Sequence, residues 1–434
     1  MKKLLVLFMC LMMVLGLAGC GGGEQPPILS GDDVETGDPV TLTFWGHQND
    51  PWNASYRRIA QEFSAKYPYI TIEFEFFPYD EFETKVMTSL INKDQGADIY
   101  EIWGGWGVDF APTGALLPMS DEIADMIRKE FYAPTYGALE YDGKIYGFPQ
   151  EFNIESGALL VNKKLAAELG VSAPTSWDQM ISDAQKAVVY KGKNMVQKGF
   201  DFVNWDGVPY LLCAMIMSKG GDYRAADGHF TFNTEIGQDA YQTMYDLIKV
   251  QKVTDMAGLT GGGDIEGYQQ LFVDQVLFVP RGPWVIPEGE MELGAYYGKD
   301  FDYVPMPWYG DQIRFASESG WAIAINANSP RQEAAMKFFA FFSQDEVLEA
   351  HNIACAQIPP KISVAQDPAL LEKMPYAAPL VPILDKGEFI GLFNTDDNFK
   401  ELINDNFERF VAGKYKNAEA ALAALDAALD KANN

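Results

Sequence analysis

The amino-acid sequence predicts an α/β fold built on a largely parallel sheet. After residue 39, strand-like and helix-like patterns alternate along the chain, and this alternation requires right-handed crossover connections. The chain has 434 residues, of which 48% are hydrophobic and 13% aromatic, so it can bury a sizeable core. That length favours two or three domains over a single one.

Three strands and two helices are predicted in the first hundred residues. Val40 to Trp45 is a β-branched and aromatic run, and Ile70 to Phe76 alternates apolar with polar residues, as a strand with one solvated face does. Asp98 to Trp103 is a third strand, ended by two glycines. The helices between them show apolar residues three and four apart: Tyr56, Ile59, Ala60 and Phe63 in the first, and the stretch Glu81 to Ile91 in the second.

The rest of the chain is predicted to be mainly helical, with two more strands at Val276 to Pro280 and Trp321 to Asn326. The predicted helices are Lys163 to Leu169, Trp177 to Tyr190, Tyr210 to Met217, Ile236 to Val250, Arg331 to Phe342, Asp345 to His351 and Ala418 to Ala432. In the last of these, Leu422, Leu425 and Leu429 fall on one stripe, which indicates a helix that packs on the protein body.

The N-terminus has the pattern of a secretory signal. Lys2 and Lys3 precede an apolar run of 14 residues, Leu4 to Leu17. A membrane span needs about 20 apolar residues, so a run of this length is typical of a signal segment. No later segment approaches a spanning length, which predicts an extracytoplasmic body.

The sequence Leu17-Ala18-Gly19-Cys20 resembles the lipobox of bacterial lipoproteins. The resemblance implies that residues 1–19 are a signal peptide and that Cys20 carries the lipid that anchors the protein at the outer face of the cell membrane. Each buried CH2 contributes about 0.8 kcal/mol, so two or three acyl chains hold a protein stably. Residues 20–37, rich in Gly, Pro, Ser and Asp, predict a flexible linker. The alternative is an ordinary cleaved signal with an incidental cysteine.

The charge of the chain excludes other modes of attachment. It carries 33 Lys and Arg against 61 Asp and Glu, a net charge of −28. Nucleic-acid binding requires basic stripes, and electrostatic adhesion to an anionic bilayer requires a basic patch. Cleavage after residue 19 removes two lysines and no acids, which leaves a net charge of −30. The remaining cysteines, Cys213 and Cys355, are expected to be buried free thiols.

Six segments in order resemble the bacterial extracellular solute-binding proteins of family 1, the group that contains the maltodextrin-binding protein. The motifs are Thr113 to Pro118, Tyr141 to Pro149, Ala158 to Lys164, Pro174 to Asp178, Phe272 to Trp284 and Ser319 to Phe342. Val161 stands where the family commonly has Tyr, and Gln275 and Val276 stand where Gly and a charged residue are common.

The resemblance implies a two-lobe, type II periplasmic-binding-protein-like fold with the ligand in a cleft between the lobes. The expected N-terminal lobe comprises residues 38–149 and 276–327, and the C-terminal lobe residues 150–275 and 328–434. It also implies hinge closure on the ligand, delivery to the transmembrane subunits of an ABC importer, and a monomer. The chain has no Gly-x-x-x-x-Gly-Lys-Ser/Thr loop of its own, and no cofactor is expected.

The candidate ligand-binding residues lie where strands end, because ligands of open α/β sheets sit outside the carboxyl ends of strands. These residues are Trp45, His47, Gln48, Trp103, Trp106, Arg281 and Trp284. The family resemblance adds Glu151, Asn153, Trp205 and Asp206, matches Trp284 to a stacking Trp, and places Phe399 where the maltodextrin binder has a late Trp. The polar residues before Phe399 depart from the family pattern and argue against α-glucan specificity.

Residues of these types suit a sugar. A pyranose has an apolar C–H face that an indole covers, and a rim of hydroxyls that Glu, Asn and Arg bind directionally. Large aromatics also fill cores, and Trp52, Trp177, Trp308 and Trp321 are expected to do so. We therefore predict an oligosaccharide-binding protein and not an enzyme.

Two alternatives remain open from the sequence. The same fold binds polyamines or ferric ion in other proteins, and Tyr296-Tyr297 resembles a ferric tyrosine pair. A secreted glycoside hydrolase would also have an aromatic cleft with carboxylates. However, no Gly-x-Ser-x-Gly elbow is present, and His47, His229 and His351 lack metal-ligand spacing.

Overall fold

The computed structural model describes residues 35–92, 96–259, 265, 267–391 and 396–433. The predicted signal peptide, Cys20 and residues 20–34 of the linker lie outside the described residues. Glu35, near the end of the predicted linker, forms an ion pair with Lys337 on the body of the protein. No helix of the described chain is long and apolar enough to cross a membrane.

The strands, in chain order, are β1 Val40–His47, β2 Ile70–Phe77, β3 Ile99–Trp103, β4 Leu116–Leu117, β5 Glu140–Tyr141, β6 Lys144–Ile145, β7 Phe148–Pro149, β8 Ala158–Asn162, β9 Val189–Lys191, β10 Asn194–Phe200, β11 Val276–Pro280, β12 Phe301–Pro305, β13 Phe315–Ser317, β14 Trp321–Asn326 and β15 Gly387–Phe389.

The helices are α1 Asp50–Lys66, α2 Tyr79–Ile91, α3 Gly104–Phe110, α4 Asp121–Glu130, α5 Lys163–Leu169, α6 Trp177–Ala187, α7 Gly207–Ser218, α8 Glu235–Lys249, α9 Gln269–Phe272, α10 Val285–Glu292, α11 Gln332–Phe342, α12 Asp345–Cys355, α13 Ile362–Ala365, α14 Pro368–Lys373, α15 Asp396–Val411 and α16 Ala418–Asn433.

The first lobe is built on a sheet of order β2-β1-β3-β14-β4, with β7 also paired to β14. β1 is parallel to both β2 and β3, whereas β14 is antiparallel to β3. Helix α1 begins at the cap Asn49, whose side chain accepts from the Trp52 backbone N–H, and it buries the predicted face that includes Tyr56 and Phe63. The α/β alternation expected for the start of the chain is therefore confirmed.

The second lobe is built on a sheet of order β12-β8-β11-β10-β9. β10 is parallel to β11, and β8 is antiparallel to both β11 and β12. All residues of α7 are buried, as expected for a helix that is apolar on every side. Helix α16 packs on this lobe through the predicted stripe of Leu422, Leu425 and Leu429, each at most 2% exposed.

The lobe boundaries expected from the sequence require a correction. Residues 276–327 were assigned to the first lobe, but β11 and β12 pair within the second sheet. Residues 328–434 were assigned to the second lobe, but α11 and α12 pack in the first core through residues such as Phe338 and Leu348. A short buried strand has the same periodicity in either sheet, so the pattern locates strands without assigning them to a lobe.

Three crossing segments connect the lobes and lie side by side. The segment that leaves β7 pairs through Asn153 with Glu318, which lies between β13 and β14. The Phe152 backbone N–H donates to Ile358 O, in the segment after α12. This arrangement of two lobes and three crossings is the two-lobe, type II fold.

One predicted helix is shorter than expected. The sequence predicts a helix from Trp177 to Tyr190, but α6 ends at Ala187 and the chain enters the antiparallel pair β9–β10. Gly192, with φ of +66°, makes the turn between these strands.

Candidate functional site

Charged and aromatic side chains of both lobes meet where the crossing segments pass between the sheets. We call this region the cleft and define it by His47, Trp103, Glu151, Asn153, Glu155, Asp206, Arg281, Trp284, Glu318, Trp321 and Lys400. Its two sides are in contact, because Lys400 Nζ, on α15 of the second lobe, lies 6.0 Å from the ring centroid of Trp103 on the first lobe.

Trp321 is the central aromatic of the first lobe's side. Its indole stacks on the His47 ring at 4.3 Å with an interplanar angle of 10°. Trp103, Trp106 and Tyr79 approach it edge-on, with ring centroids at 5.5, 5.7 and 6.2 Å. Trp321 is only half-buried because it begins β14, where the strand opens onto the cleft.

Glu101, on β3, fixes the His47 ring and is fully buried. One carboxylate oxygen accepts from the His47 backbone N–H at 2.9 Å and lies 2.7 Å from its Nδ1, and the other accepts from the Tyr56 hydroxyl at 2.7 Å. Three donors compensate the cost of burying a carboxylate. The Tyr56 hydroxyl also lies 2.7 Å from Gln150 Oε1, and Gln150 Nε2 has no partner among the described residues.

Glu151 lies in the first crossing and is 3% exposed. Its Oε1 accepts from the Trp321 backbone N–H at 2.8 Å, and the Gln150 backbone N–H donates to Trp321 O at 3.0 Å. Both backbone groups of Trp321 are therefore hydrogen-bonded to the first crossing segment. Burial, assisted by the neighbouring Glu155 and Glu101, raises the pKa of Glu151 to about 8. Glu151 is therefore mostly protonated at neutral pH.

Two glycines allow this close packing of the crossing segments. A Cβ on Gly320 would lie 2.4 Å from Glu151 Oε1, and a Cβ on Gly104 would lie 1.6 Å from the Ser319 carbonyl oxygen. The second distance is to backbone, which cannot move aside. The base of the cleft therefore requires glycine at both positions.

Glu155, Arg281 and Trp284 form the second lobe's side. Glu155 has a φ of +39°, unusual for a residue with a side chain, and is 3% exposed. Its Oε1 accepts from Trp284 Nε1 at 3.1 Å, and its Oε2 lies 3.8 Å from Arg281 Nη1. Burial raises the pKa of Glu155, against the opposing attraction of Arg281. The Arg281 guanidinium lies 5.7 Å from the Trp284 ring centroid.

Two buried polar atoms beside Trp284 have no hydrogen-bond partner among the described residues. They are Asn153 Oδ1, an acceptor, and Arg281 Nε, a donor. Buried polar atoms are nearly always paired, so an unpaired donor and acceptor at a cleft point to a ligand that supplies their partners.

Lys400 connects the lobes electrostatically. It is 6% exposed and pairs with Glu318 Oε1 at 2.7 Å and Asp206 Oδ1 at 3.3 Å. Burial alone would raise the pKa of Asp206, but the charges of Lys400 and Arg281 outweigh that effect and lower it. Asp206 is therefore ionised, and Lys400 is matched by two carboxylates.

Most of the residues predicted from the sequence come together in the cleft, namely His47, Trp103, Glu151, Asn153, Asp206, Arg281 and Trp284. Others lie around it. Trp45 is half-buried with its ring near Phe77 and Tyr100, and Gln48 is exposed and donates its backbone N–H to Phe77 O. Trp205 is 45% exposed, and its carbonyl oxygen accepts from Asn404.

Two predicted residues offer no free ring face to the cleft. Phe399 is 2% exposed and packs near Phe230 and Phe232 in the second core, with centroids at 6.0 and 6.3 Å. Trp106 is 7% exposed and lies between Phe82 and Trp321. These placements differ from the ligand contacts expected for both residues.

The sequence analysis missed Glu101, Glu155, Glu318 and Lys400. It assigned Trp321 to core packing, and Trp321 does pack against the first core, although it is only half-buried and also belongs to the cleft. A signal existed for Glu101, since a lone charge inside the buried run Ile99–Trp103 demands a partner. Lys400 directly follows the predicted Phe399. The Lys400 side chain reaches the cleft, whereas the Phe399 ring packs in the second core.

The structure gives the ferric alternative no support. Tyr296 is 49% exposed, and Tyr297 donates to Pro375 O at 3.4 Å and packs on Tyr376. In the described chain, no three His, Cys, Asp or Glu side chains are grouped to hold a metal ion. Cys213 and Cys355 are buried free thiols, as expected.

A separate groove of about 750 Å³ lies between α4 and α11 on the first lobe. Its walls include Glu122, Met126, Met336 and Ala340, and none of the cleft residues contributes to it.

Matches to known proteins bear on this cleft. The sequence matches the family described as bacterial extracellular solute-binding protein over residues 48–349, more than half of the chain. It is 25% identical over 319 residues to an arabinooligosaccharide-binding protein of Halalkalibacterium halodurans, a match that covers 72% of this chain and 68% of that protein.

The fold resembles solved sugar-binding proteins. The maltodextrin-binding domain from Bdellovibrio bacteriovorus bound to maltotriose superimposes with a TM-score of 0.69 at 16% identity, covering 90% of this chain and 99% of that one. The cyclic alpha-maltosyl-1,6-maltose binding protein from Arthrobacter globiformis gives 0.73 at 21% identity, covering 91% and 99%. At these identities the likeness establishes a shared fold and leaves the ligand open.

Proposed function

The chain belongs to the bacterial extracellular solute-binding proteins, and from this we propose that it captures an oligosaccharide between its lobes and delivers it to an ABC importer. One relative is an arabinooligosaccharide-binding protein, and the solved structures compared above are sugar-binding proteins and not enzymes. The arabinooligosaccharide-binding relative supports a ligand of more than one sugar unit.

The observation that carries this proposal is the unpaired donor and acceptor beside an indole. Arg281 Nε and Asn153 Oδ1 are buried without partners next to Trp284. A sugar hydroxyl both donates and accepts, so neighbouring hydroxyls of one ring can satisfy both atoms. The apolar C–H face of the same ring would cover the Trp284 indole.

Capture would use the crossing segments as a hinge. Trp321 and Trp103 belong to the first lobe, and Trp284 and Arg281 to the second, so a ligand contacts both sides only when the lobes are close. Such a ligand shifts the population toward the closed form by its extra affinity for that form. The importer's transmembrane subunits would then receive the sugar from the closed protein.

We extend the proposal to attachment. The lipobox-like Leu17 to Cys20 supports cleavage before Cys20 and a lipid anchor there, which would hold the protein at the outer face of the membrane. The linker after Cys20 would let the lobes reach the importer.

A thermal-shift panel of neutral oligosaccharides, polyamines and ferric ion tests the binding function. A ligand raises the free energy of unfolding by RT ln(1 + [L]/Kd), which is about 2.7 kcal/mol at 100-fold excess over Kd. We expect stabilisation by at least one oligosaccharide, and loss of that stabilisation in Trp284→Ala, because the ring face that the sugar covers is gone.

Tyr296→Ala serves as the matched control, since it removes an exposed aromatic ring outside the cleft. It should bind the sugar like the wild type. Full affinity in Trp284→Ala would rule out the proposed cleft, and stabilisation only by a polyamine or ferric ion would rule out the sugar. Turnover of a labelled oligosaccharide at catalytic rates would refute a pure binding role.

A further inference from the structure

The cations of the cleft are already matched by the protein's own carboxylates. Arg281, 3% exposed, pairs with Glu155. Lys400, 6% exposed, pairs with both Asp206 and Glu318. The described part of the cleft therefore holds no Lys or Arg whose charge is left for a ligand.

The other titratable side chains of the cleft also leave no charge for a ligand. His47 Nδ1 lies 2.7 Å from the fully buried Glu101 carboxylate, so this ring already has a partner within the protein. Glu151 has a pKa of about 8, raised by its burial, and is mostly uncharged at neutral pH. The balance of the cleft is thus close to neutral, with a slight acidic excess.

We propose that the ligand is an uncharged oligosaccharide and that uronates and phosphorylated sugars are rejected; this inference rests on the proposed function. A ligand carboxylate could reach Arg281 only by displacing Glu155, and Lys400 only by displacing Asp206 or Glu318. A displaced Glu155 or Glu318 would then be a buried charge without its partner, which is strongly unfavourable.

A neutral hydroxyl meets no such barrier. It can accept from Arg281 Nε and donate to Asn153 Oδ1 while the ion pairs stay intact. A cationic amino sugar would lose the hydration of its ammonium groups and find no free carboxylate for them, because Glu155, Asp206 and Glu318 are already paired with Arg281 and Lys400. The charge pattern therefore excludes charged ligands, and the unpaired atoms Arg281 Nε and Asn153 Oδ1 bind the neutral one.

Titration calorimetry with matched trisaccharides tests this selection. The neutral probes are arabinotriose, maltotriose and mannotriose, the anionic probe is trigalacturonate, and the cationic probe is the glucosamine trimer. We expect at least one neutral trisaccharide to bind about 100-fold more tightly than either charged one, a difference of about 2.7 kcal/mol. The neutral affinity should change less than twofold between 50 and 500 mM NaCl, because no net charge pairs with the ligand.

The double variant Asp206→Asn, Glu318→Gln frees Lys400 and should raise trigalacturonate affinity at least tenfold. The matched control removes the carboxylates from Arg314, which pairs with Asp222 and Glu388 outside the cleft. Asp222→Asn, Glu388→Gln should leave all affinities unchanged. The salt titration uses the wild type, so it tests the neutral-ligand inference even if the cleft variant fails to fold.

The outcomes separate the two proposals. If trigalacturonate or the glucosamine trimer binds as tightly as the best neutral sugar, or if the neutral affinity falls tenfold with salt, the neutral-ligand inference is wrong and sugar binding stands. If no saccharide of any charge binds while another solute does, the proposed function is wrong, and this inference falls with it.

Discussion

Glu151 shows how a single residue couples the cleft to the crossing segments. Its carboxyl is buried, accepts from the Trp321 backbone N–H, and sits beside Gly320, where no side chain fits. The neighbouring Glu155 and Glu101 make ionisation still less favourable. The folded protein therefore prefers this carboxyl in its protonated form.

This preference predicts a pH dependence of stability. The folded pKa of about 8 lies above the ordinary value of 4.5, so the contribution of Glu151 is fully present below about pH 4.5 and is lost as the pH rises through 8. Glu151→Gln cannot ionise and should keep its stability in that range. At pH 9 the free energy of unfolding of Glu151→Gln should exceed that of the wild type by on the order of 4 kcal/mol.

Urea denaturation at intervals from pH 5 to pH 9 measures the difference between the two proteins. Glu73→Gln, on the exposed face of β2, is the control and should run parallel to the wild type. If Glu151→Gln also runs parallel to the wild type, Glu151 is not buried as an acid.

Sequence reasoning found some cleft residues and missed others, and both outcomes have a physical reason. His47, Trp103 and Trp284 follow strand ends, and strand ends of an α/β sheet converge. Glu155 and Lys400 depend on how two lobes face each other, which no local pattern encodes. Trp321 starts its strand at the cleft, but a half-buried Trp at a strand end has the same sequence pattern as a core Trp.

At the scale of elements, α16 shows a helix held mainly by packing. Its buried stripe of Leu422, Leu425 and Leu429 joins the core of the second lobe, and its solvent side is largely Ala. Short helices are marginal in water without such contacts. The stripe was predicted from spacing alone because a single helical face suffices to define it.

Leu425→Ala should therefore destabilise the second lobe by about 2–4 kcal/mol through the cavity it leaves. Ala423→Gln, on the exposed side of the same helix, should change the free energy of unfolding by less than about 0.5 kcal/mol. Chemical denaturation measures both values. Equal effects of the two substitutions would contradict packing of the helix through this stripe.

Elements were predicted better than their assembly. The bounds of β11, β14 and α5 agree with the structure to the residue, because buried runs and caps are local signals. The assignment of β11 to the first lobe was wrong, because the pattern of a short buried strand does not indicate which sheet the strand joins. The hairpin β9–β10 was missed because the helical pattern continues past Ala187, where the turn at Gly192 decides the structure.

At the scale of the whole molecule, charge and anchoring have separate roles. The net charge of −30 after cleavage opposes adsorption to an anionic bilayer, so a lipid at Cys20 would be the sole attachment to the membrane. The acidic surface would then keep the lobes in solution, free to open and close.

Cys20→Ser tests this arrangement in a bacterial host. We expect the variant to incorporate no labelled fatty acid and to leave the membrane fraction. The purified protein should keep the sugar affinity of the wild type, because no residue that defines the cleft is changed. Fatty-acid labelling and fractionation measure the first two results. Fatty-acid labelling that persists in Cys20→Ser would place the lipid elsewhere.

Closure of the lobes on a sugar can be measured directly as a distance. Cys213 and Cys355 are buried, and burial raises the pKa of both thiols. In protein expressed without residues 1–20, which contain Cys10 and Cys20, spin labels would therefore react only with introduced cysteines. Thr88→Cys on α2 of the first lobe and Glu408→Cys on α15 of the second are exposed positions outside the cleft.

Pulsed electron–electron double resonance on this doubly labelled protein tests the central claim, capture of a sugar between the lobes, most directly. We predict that the distance between the labels shortens when the oligosaccharide that stabilises the protein is added, and that it stays at its unliganded value when Trp284→Ala is added to the same background. A distance that does not change although the sugar binds, or that shortens equally in Trp284→Ala, would contradict capture between the lobes.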